Sequence, residues 1–250
     1  MSANALLLCV ETPLITIDAA DFDGTNDYML RGAGLTGAAD SKTGIFSCWY
    51  RIDGDPARQK NLLASNQPGF IVEQNQAEDK IYIIGYNASG STLFGIGTSV
   101  LGVSATWLHI LSSWDMASGT THLYLNDVSD KTVINVPVND NIDYTRTNWA
   151  VSADTPTFSQ KVDGCLAELY FAPGQYLDLS ITENRRKFIS ATGKPVHLGV
   201  DGSLPTGTAP IVYLHLDNGE AVANFATNRG TGGNFTITGT LDTASTSPSD

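Results

Sequence analysis

Trp107-Leu108-His109-Ile110-Leu111-Ser112-Ser113-Trp114-Asp115-Met116-Ala117-Ser118-Gly119-Thr120-Thr121-His122-Leu123-Tyr124-Leu125-Asn126 reads as a β-hairpin. Two runs rich in β-branched, aromatic and aliphatic residues flank Met116 to Gly119, a turn of small and glycine residues. If Asp115 pairs with Thr120, then Leu108, Ile110, Trp114, Leu123 and Leu125 share one face, because side chains alternate along a strand. That face is the predicted core side, and His109 and His122 point away from it.

Outward from this hairpin, short strand-like runs recur between turn residues, the spacing of a β-sandwich or barrel. They are Leu14 to Ile17, Asp27 to Arg31, Ile45 to Ile52, Lys80 to Tyr86 and Thr92 to Ile96 on the N-terminal side. Trp149 to Ser152, Asp163 to Phe171, Ile211 to Leu216 and Asn234 to Thr238 follow on the other. One helix is predicted over Ile181 to Ala191. Ser180 and Glu183 have the capping-box spacing, and Gly193 and Pro195 supply a stop. Residues 1–20 are read as a first strand or docking segment, 21–240 as one domain, and 241–250 as a frayed tail.

Composition narrows the function classes. The 250 residues carry 14 Lys and Arg against 26 Asp and Glu, a net charge of -12. Nucleic-acid binding is not expected, because it needs a basic face that displaces counterions from phosphates. The charged fraction is 16%, below the roughly 25% of an average domain, so Ser, Thr, Asn and Gly supply much of the polar surface. Cys9, Cys48 and Cys165 are odd in number and lack C-x-x-C spacing, so they are expected as reduced, buried thiols. No run approaches the roughly 20 apolar residues of a membrane helix, and membrane insertion is not expected. Met1 to Val10 has no basic start, so no secretory signal is expected there.

Four segments together resemble the laminin-G-like jelly roll of the concanavalin A-like lectin and glucanase superfamily. They are Phe22-Asp23-Gly24-Thr25-Asn26-Asp27-Tyr28, Ile45 to Arg51 around Trp49, the Trp107 hairpin, and Val162 to Leu169 leading into Leu179-Ser180. The resemblance implies an all-β, two-sheet antiparallel jelly-roll sandwich with one short helix. The C-terminal turns, Gly193-Lys194-Pro195, Asp201-Gly202-Ser203, Pro205-Thr206-Gly207 and Gly230 to Phe235, look like an extension found in phage and prophage structural proteins. That implies a virion component, made in a host cytoplasm and released by lysis, with other virion proteins as partners and homo-oligomers expected.

The fold hosts binders, enzymes and plain shells, so sites must choose among them. Sugar rings stack on aromatic faces while Asn and Asp meet their hydroxyls, which singles out Tyr86, Asn87, Tyr144, Asn148 and Trp149 as glycan-site candidates for a cell-surface polysaccharide. Trp149 filling the core is the competing reading. Asp23, Asp27 and Asp163 lie in turn sequences whose oxygens suit calcium, although Asp-Gly also starts ordinary tight turns. No other cofactor is called for. Glycoside hydrolysis needs two carboxylates flanking the bond, and Glu73, Glu78 and Asp79 are spaced more like a hairpin turn. The expected function is therefore a non-enzymatic virion surface or accessory protein, with a glycan-binding or host-adhesion role; the alternative is a polysaccharide-degrading glucanase or lyase. Leu6, Leu7, Leu8 and Val10 are the candidate docking residues, with an ordinary first strand as the other reading.

Overall fold

The computed structural model describes residues 16–54, 58–101, 105–217 and 219–250. Leu6, Leu7, Leu8, Val10 and Cys9 lie outside them.

In chain order the strands begin with β1 (Ala20–Asp23), β2 (Tyr28–Arg31), β3 (Thr43–Ile52), β4 (Lys60–Ala64), β5 (Ile71–Asn75), β6 (Lys80–Tyr86) and β7 (Thr92–Gly97). The middle of the chain gives β8 (Trp107–Asp115), β9 (Thr120–Leu125), β10 (Val128–Ser129), β11 (Thr132–Asn135), β12 (Trp149–Val151) and β13 (Asp163–Pro173). The remainder supplies α1 (Thr182–Arg185), β14 (Val212–Leu214), a 3₁₀ turn (Val222–Ala226), β15 (Thr236–Thr238) and β16 (Asp242–Thr243). One sheet runs β10-β9-β8-β3-β13-β1-β16 with β14 also on β13, and the other runs β11-β7-β6-β5-β4-β12-β2-β15. Every strand pairing among the described residues is antiparallel. The all-β two-sheet expectation is met.

The hairpin register is the one the sequence predicts: Asp115 opposes Thr120, Trp114 opposes Thr121 and Ile110 opposes Leu125. Leu108, Ile110, Trp114 and Leu123 enter the main core between the sheets, and Leu125 packs at its margin. On β3 the same alternation sends Phe46, Cys48, Tyr50 and Ile52 into that core. The intervening residues are not wet, however. Ile45, Leu111, Tyr170 and Ala172 on the outer face of this sheet are covered by Leu179, Phe188 and Leu198 from the chain after β13. A smaller cluster of Ile17, Ala19, Trp49, Ala167 and Ile189 continues the covering. This sheet is thus buried on both sides, which is why β3 and β13 are buried almost end to end.

The one short helix forms inside the expected stretch, but its extent and its cap are corrected. Only one turn forms, Thr182–Arg185, and Ser180 does not cap it. Instead the Ser180 hydroxyl donates to Asp178 Oδ1 at 2.6 Å, and the same oxygen accepts the Ser180 N–H at 2.9 Å. Beyond Arg185 the chain divides its apolar residues: Phe188 meets Tyr170 edge-on at 5.3 Å, while Ile189 enters the third cluster and bridges Pro195. Packing against the sheet outweighs local propensity here. The frayed tail is corrected too, since β16 pairs with β1 and the Ile17 N–H donates to Ser249 Oγ at 3.0 Å. Leu14 to Ile17 is described only at its end, where Ile17 makes an isolated bridge to Asp217.

Candidate functional site

The aromatic candidates separate by burial. Trp149 and Tyr144 are wholly buried, and so are removed from any role in stacking on a sugar. The Trp149 indole donates to the Arg146 carbonyl at 2.7 Å, and its ring packs 5.4 Å from Phe171. Tyr144 receives the Trp114 indole N–H at 2.8 Å. Tyr86 stays half-buried at the end of β6, and Asn87 shapes the next turn by accepting the N–H groups of Ser89 and Ser91. Asn148 is half-buried with a left-handed backbone. The five residues do not line one recess.

The three aspartates also do separate jobs. Asp23 Oδ1 accepts the N–H groups of Thr25, Asn26 and Asp27 at 2.8 to 3.2 Å. Desolvation works upward on its carboxyl, but these donors hold it below the usual carboxylate range. Asp27 accepts the Asp23 and Thr240 N–H groups, tying the turn to the C-terminal segment. The Asp163 carboxylate packs against Gly54 and Gly24, where a Cβ on Gly54 would overlap it. Both Asp23 and Asp27 therefore act as turn-closing acceptors. The cysteines Cys48 and Cys165 are free and buried, as expected.

Two features escaped the sequence reading. The first is a recess of about 350 Å³ lined by Trp49, Thr106, Trp107, Lys194, Ser247 and Asp250 among others. Trp107 is half-exposed, its indole N–H donates to Thr246 Oγ1 at 3.3 Å, and the Arg51 guanidinium lies 5.7 Å from its ring centre. Strand alternation could have found it, because Leu108 pointing inward obliges Trp107 to point outward. The second is a polar cluster on the outer face of the doubly covered sheet. His215 is fully buried, with Nδ1 against Glu168 Oε1 and Nε2 2.6 Å from Asp217 Oδ1. Tyr213 donates to Glu168 Oε2 at 3.0 Å, and Arg229 holds Asp217 and Glu220. No sequence signal marks this cluster, whose members converge from Glu168 to Arg229 only through the sheet.

The three acidic residues weighed for hydrolysis are engaged separately. Glu73 accepts from Gln59 at 2.7 Å and burial pushes its carboxyl up, Glu78 pairs with Lys80 at 2.6 Å, and Asp79 accepts from Gln74 at 2.7 Å. Gln74 itself accepts the Tyr50 hydroxyl inside the core, so Glu73 and Gln74 serve opposite faces of β5.

Residues 23–174 match the profile of a laminin-G-type family described as the Concanavalin A-like lectin/glucanases superfamily. The chain belongs to that superfamily. The concanavalin A-like fold extends over a solved structure of a candidate carbohydrate-binding protein from Bacteroides ovatus, at TM-score 0.63 and 14% identity. That alignment covers 93% of this chain and 60% of the other, so this chain spans less than two thirds of that protein. A heptameric SAP-like pentraxin from Limulus polyphemus aligns at TM-score 0.48 and 11% identity, over 66% of this chain and 78% of that one. Domains LG4-5 of the mouse laminin alpha1 chain align at TM-score 0.45 and 13% identity, over 67% and 44%. No curated protein matches the chain.

Proposed function

We propose that this protein is a non-catalytic, glycan-binding jelly roll carried on the surface of a virion-like particle. The observation that carries the binding half is the recess at Trp107. A half-exposed indole stands there beside hydroxyl, ammonium and carboxylate groups from Thr106, Lys194, Ser247 and Asp250. Apolar ring faces with a few convergent polar groups are what a sugar ring needs. The Bacteroides ovatus relative, a candidate carbohydrate binder, supports the same reading. The separate engagement of Glu73, Glu78 and Asp79 supports a role without hydrolysis.

The particle half is supported by the resemblance of the glycine-rich C-terminal turns to phage and prophage structural proteins. It also draws on β11, an edge strand that exposes Val133 and Ile134 and leads to exposed Val136 and Val138. Unpaired apolar edges invite further chains. The test is binding of the purified chain to a panel of bacterial surface polysaccharides, followed by Trp107→Ala. Stacking on the indole predicts at least a tenfold loss of affinity in the variant, with a cooperative melt confirming that it still folds. Equal binding by the variant, or none by the wild type, refutes the recess as a sugar site.

A further inference from the structure

His197, His215 and Asp217 each bring one ligating atom to within 4.8 Å of the others. They come from different places: His197 from the covering chain before Leu198, His215 and Asp217 from the exit of β14. The two imidazoles meet edge to face, with ring centres 6.1 Å apart. His215 is fully buried, whereas His197 is half-buried and the Asp217 side chain is 39% exposed, so the cluster has a wall in the protein and a door to water.

Behind His215 stands Glu168. It occupies the bulge of β13, where the pairing with β3 shifts register, and its backbone is left-handed at φ 49. A bulge re-aims a side chain, and this one places a buried carboxylate on His215 Nδ1. The carboxylate accepts a hydrogen bond from Nδ1–H, which fixes the tautomer with the Nε2 lone pair toward Asp217 Oδ1, 2.6 Å away. At 2.6 Å the two atoms share a proton, and a metal ion about 2.0–2.2 Å from each donor would replace that proton as the pair moves slightly apart. The surroundings favour positive charge: Glu220 and Asp18 flank the site, Asp18 on the Gly219 N–H, against the single guanidinium of Arg229.

We propose that His197, His215 and Asp217 bind a zinc-like divalent transition metal, with Glu168 orienting His215. Two imidazole nitrogens and one carboxylate are the donor set that such ions take, leaving a position open to water, while calcium prefers oxygen alone. A carboxylate on the far nitrogen of a ligating histidine fixes its tautomer and raises its basicity. The ion would clasp the covering chain to the sheet, since its ligands come from both.

The experiment is a calorimetric titration of the chelator-treated full chain with zinc chloride, repeated with calcium chloride. The expected result is one zinc per chain, a raised melting temperature with zinc, and visible absorption of a low-coordinate site with cobalt(II). His197→Ala and Asp217→Asn should each weaken binding at least tenfold, and Glu168→Gln by roughly 10 to 100-fold. Both ligand positions reach solvent, and melting in chelator checks that each variant folds. Should one fail that check, the other variant decides. Absence of stoichiometric zinc binding, preference for calcium, or unchanged affinity in a folded His197→Ala or Asp217→Asn variant overturns the proposal and leaves a proton-bridged pair.

Discussion

The Trp114 indole N–H donates to the Tyr144 hydroxyl at 2.8 Å, and that hydroxyl donates in turn to the Thr43 carbonyl at 3.2 Å. Both rings are wholly buried, so this pair joins the two sheets' connections through polar atoms that water cannot reach. Tyr144→Phe keeps the ring and orphans the indole N–H. The expected loss is about 1–3 kcal/mol, read as a lower urea midpoint with an unchanged slope. A variant as stable as the wild type would show that the indole finds another acceptor.

Gly44 lies opposite Trp114 across β3 and β8. A Cβ at Gly44 would come within 2.3 Å of Trp114 Cζ2, and the buried indole has nowhere to go. Gly119, with φ +69, has open space around the same position. Alanine at Gly119 should therefore cost roughly 1–2 kcal/mol of backbone strain. Alanine at Gly44 should cost more than that and lower the yield of folded protein. Thermal melts of the two variants side by side check the order.

His109 is buried on the outer face of β8, its ring tilted against Trp49 with centres 4.7 Å apart and bonded through Nε2 to Ser47 Oγ at 2.9 Å. Burial drives its imidazole down to about 3, against a weaker opposing pull from Asp127. In the unfolded chain the ring titrates near 6.5. Below that pH the unfolded state binds a proton that the folded state refuses. The contribution is intact above about pH 6.5 and erodes toward pH 3, by about 1.4 kcal/mol per pH unit. Urea titrations at pH 7.5, 5.5 and 4.5 should show a steeper loss in the wild type than in His109→Gln. Parallel slopes would mean the ring is charged while folded.

Burial pushes the Cys48 and Cys165 thiols far above their ordinary range. Neither forms enough thiolate near neutrality to attack an alkylating reagent. In a Cys9→Ser background, iodoacetamide at pH 8 should label neither residue in the folded protein and both in urea. Labelling of Cys165 before unfolding would place it in an open segment.

Period-two alternation carried the hairpin, its register and the inward set from Leu108 to Leu123, because those facts are local. The same alternation, applied to Trp107 and Trp149, would have exchanged the two as sugar-stacking candidates. What it could not carry was the covering chain. Ser180 and Glu183 have capping spacing, yet Asp178 takes the Ser180 hydroxyl and the sheet takes Phe188 and Ile189. Alternation gives no sign of β4, β5 and β11 as strands, β11 with every residue exposed and β4 with every residue buried, including Lys60 and Asn61. Alternation of polar and apolar residues marks neither extreme. His215 met Glu168 only across 47 positions of sequence.

The strand pairings impose an order on the making of the molecule. β4 to β7 and β8 with β9 find neighbours within a few residues, so they can form while the rest of the chain is still being synthesised. β2 waits for residues 149–151 and 236–238, and β1 waits for β13 and for residues 242–243. Long separations of this kind make folding slow. Until residues 242–243 have been synthesised, β1 lacks one of its two neighbours and the growing chain carries an open seam.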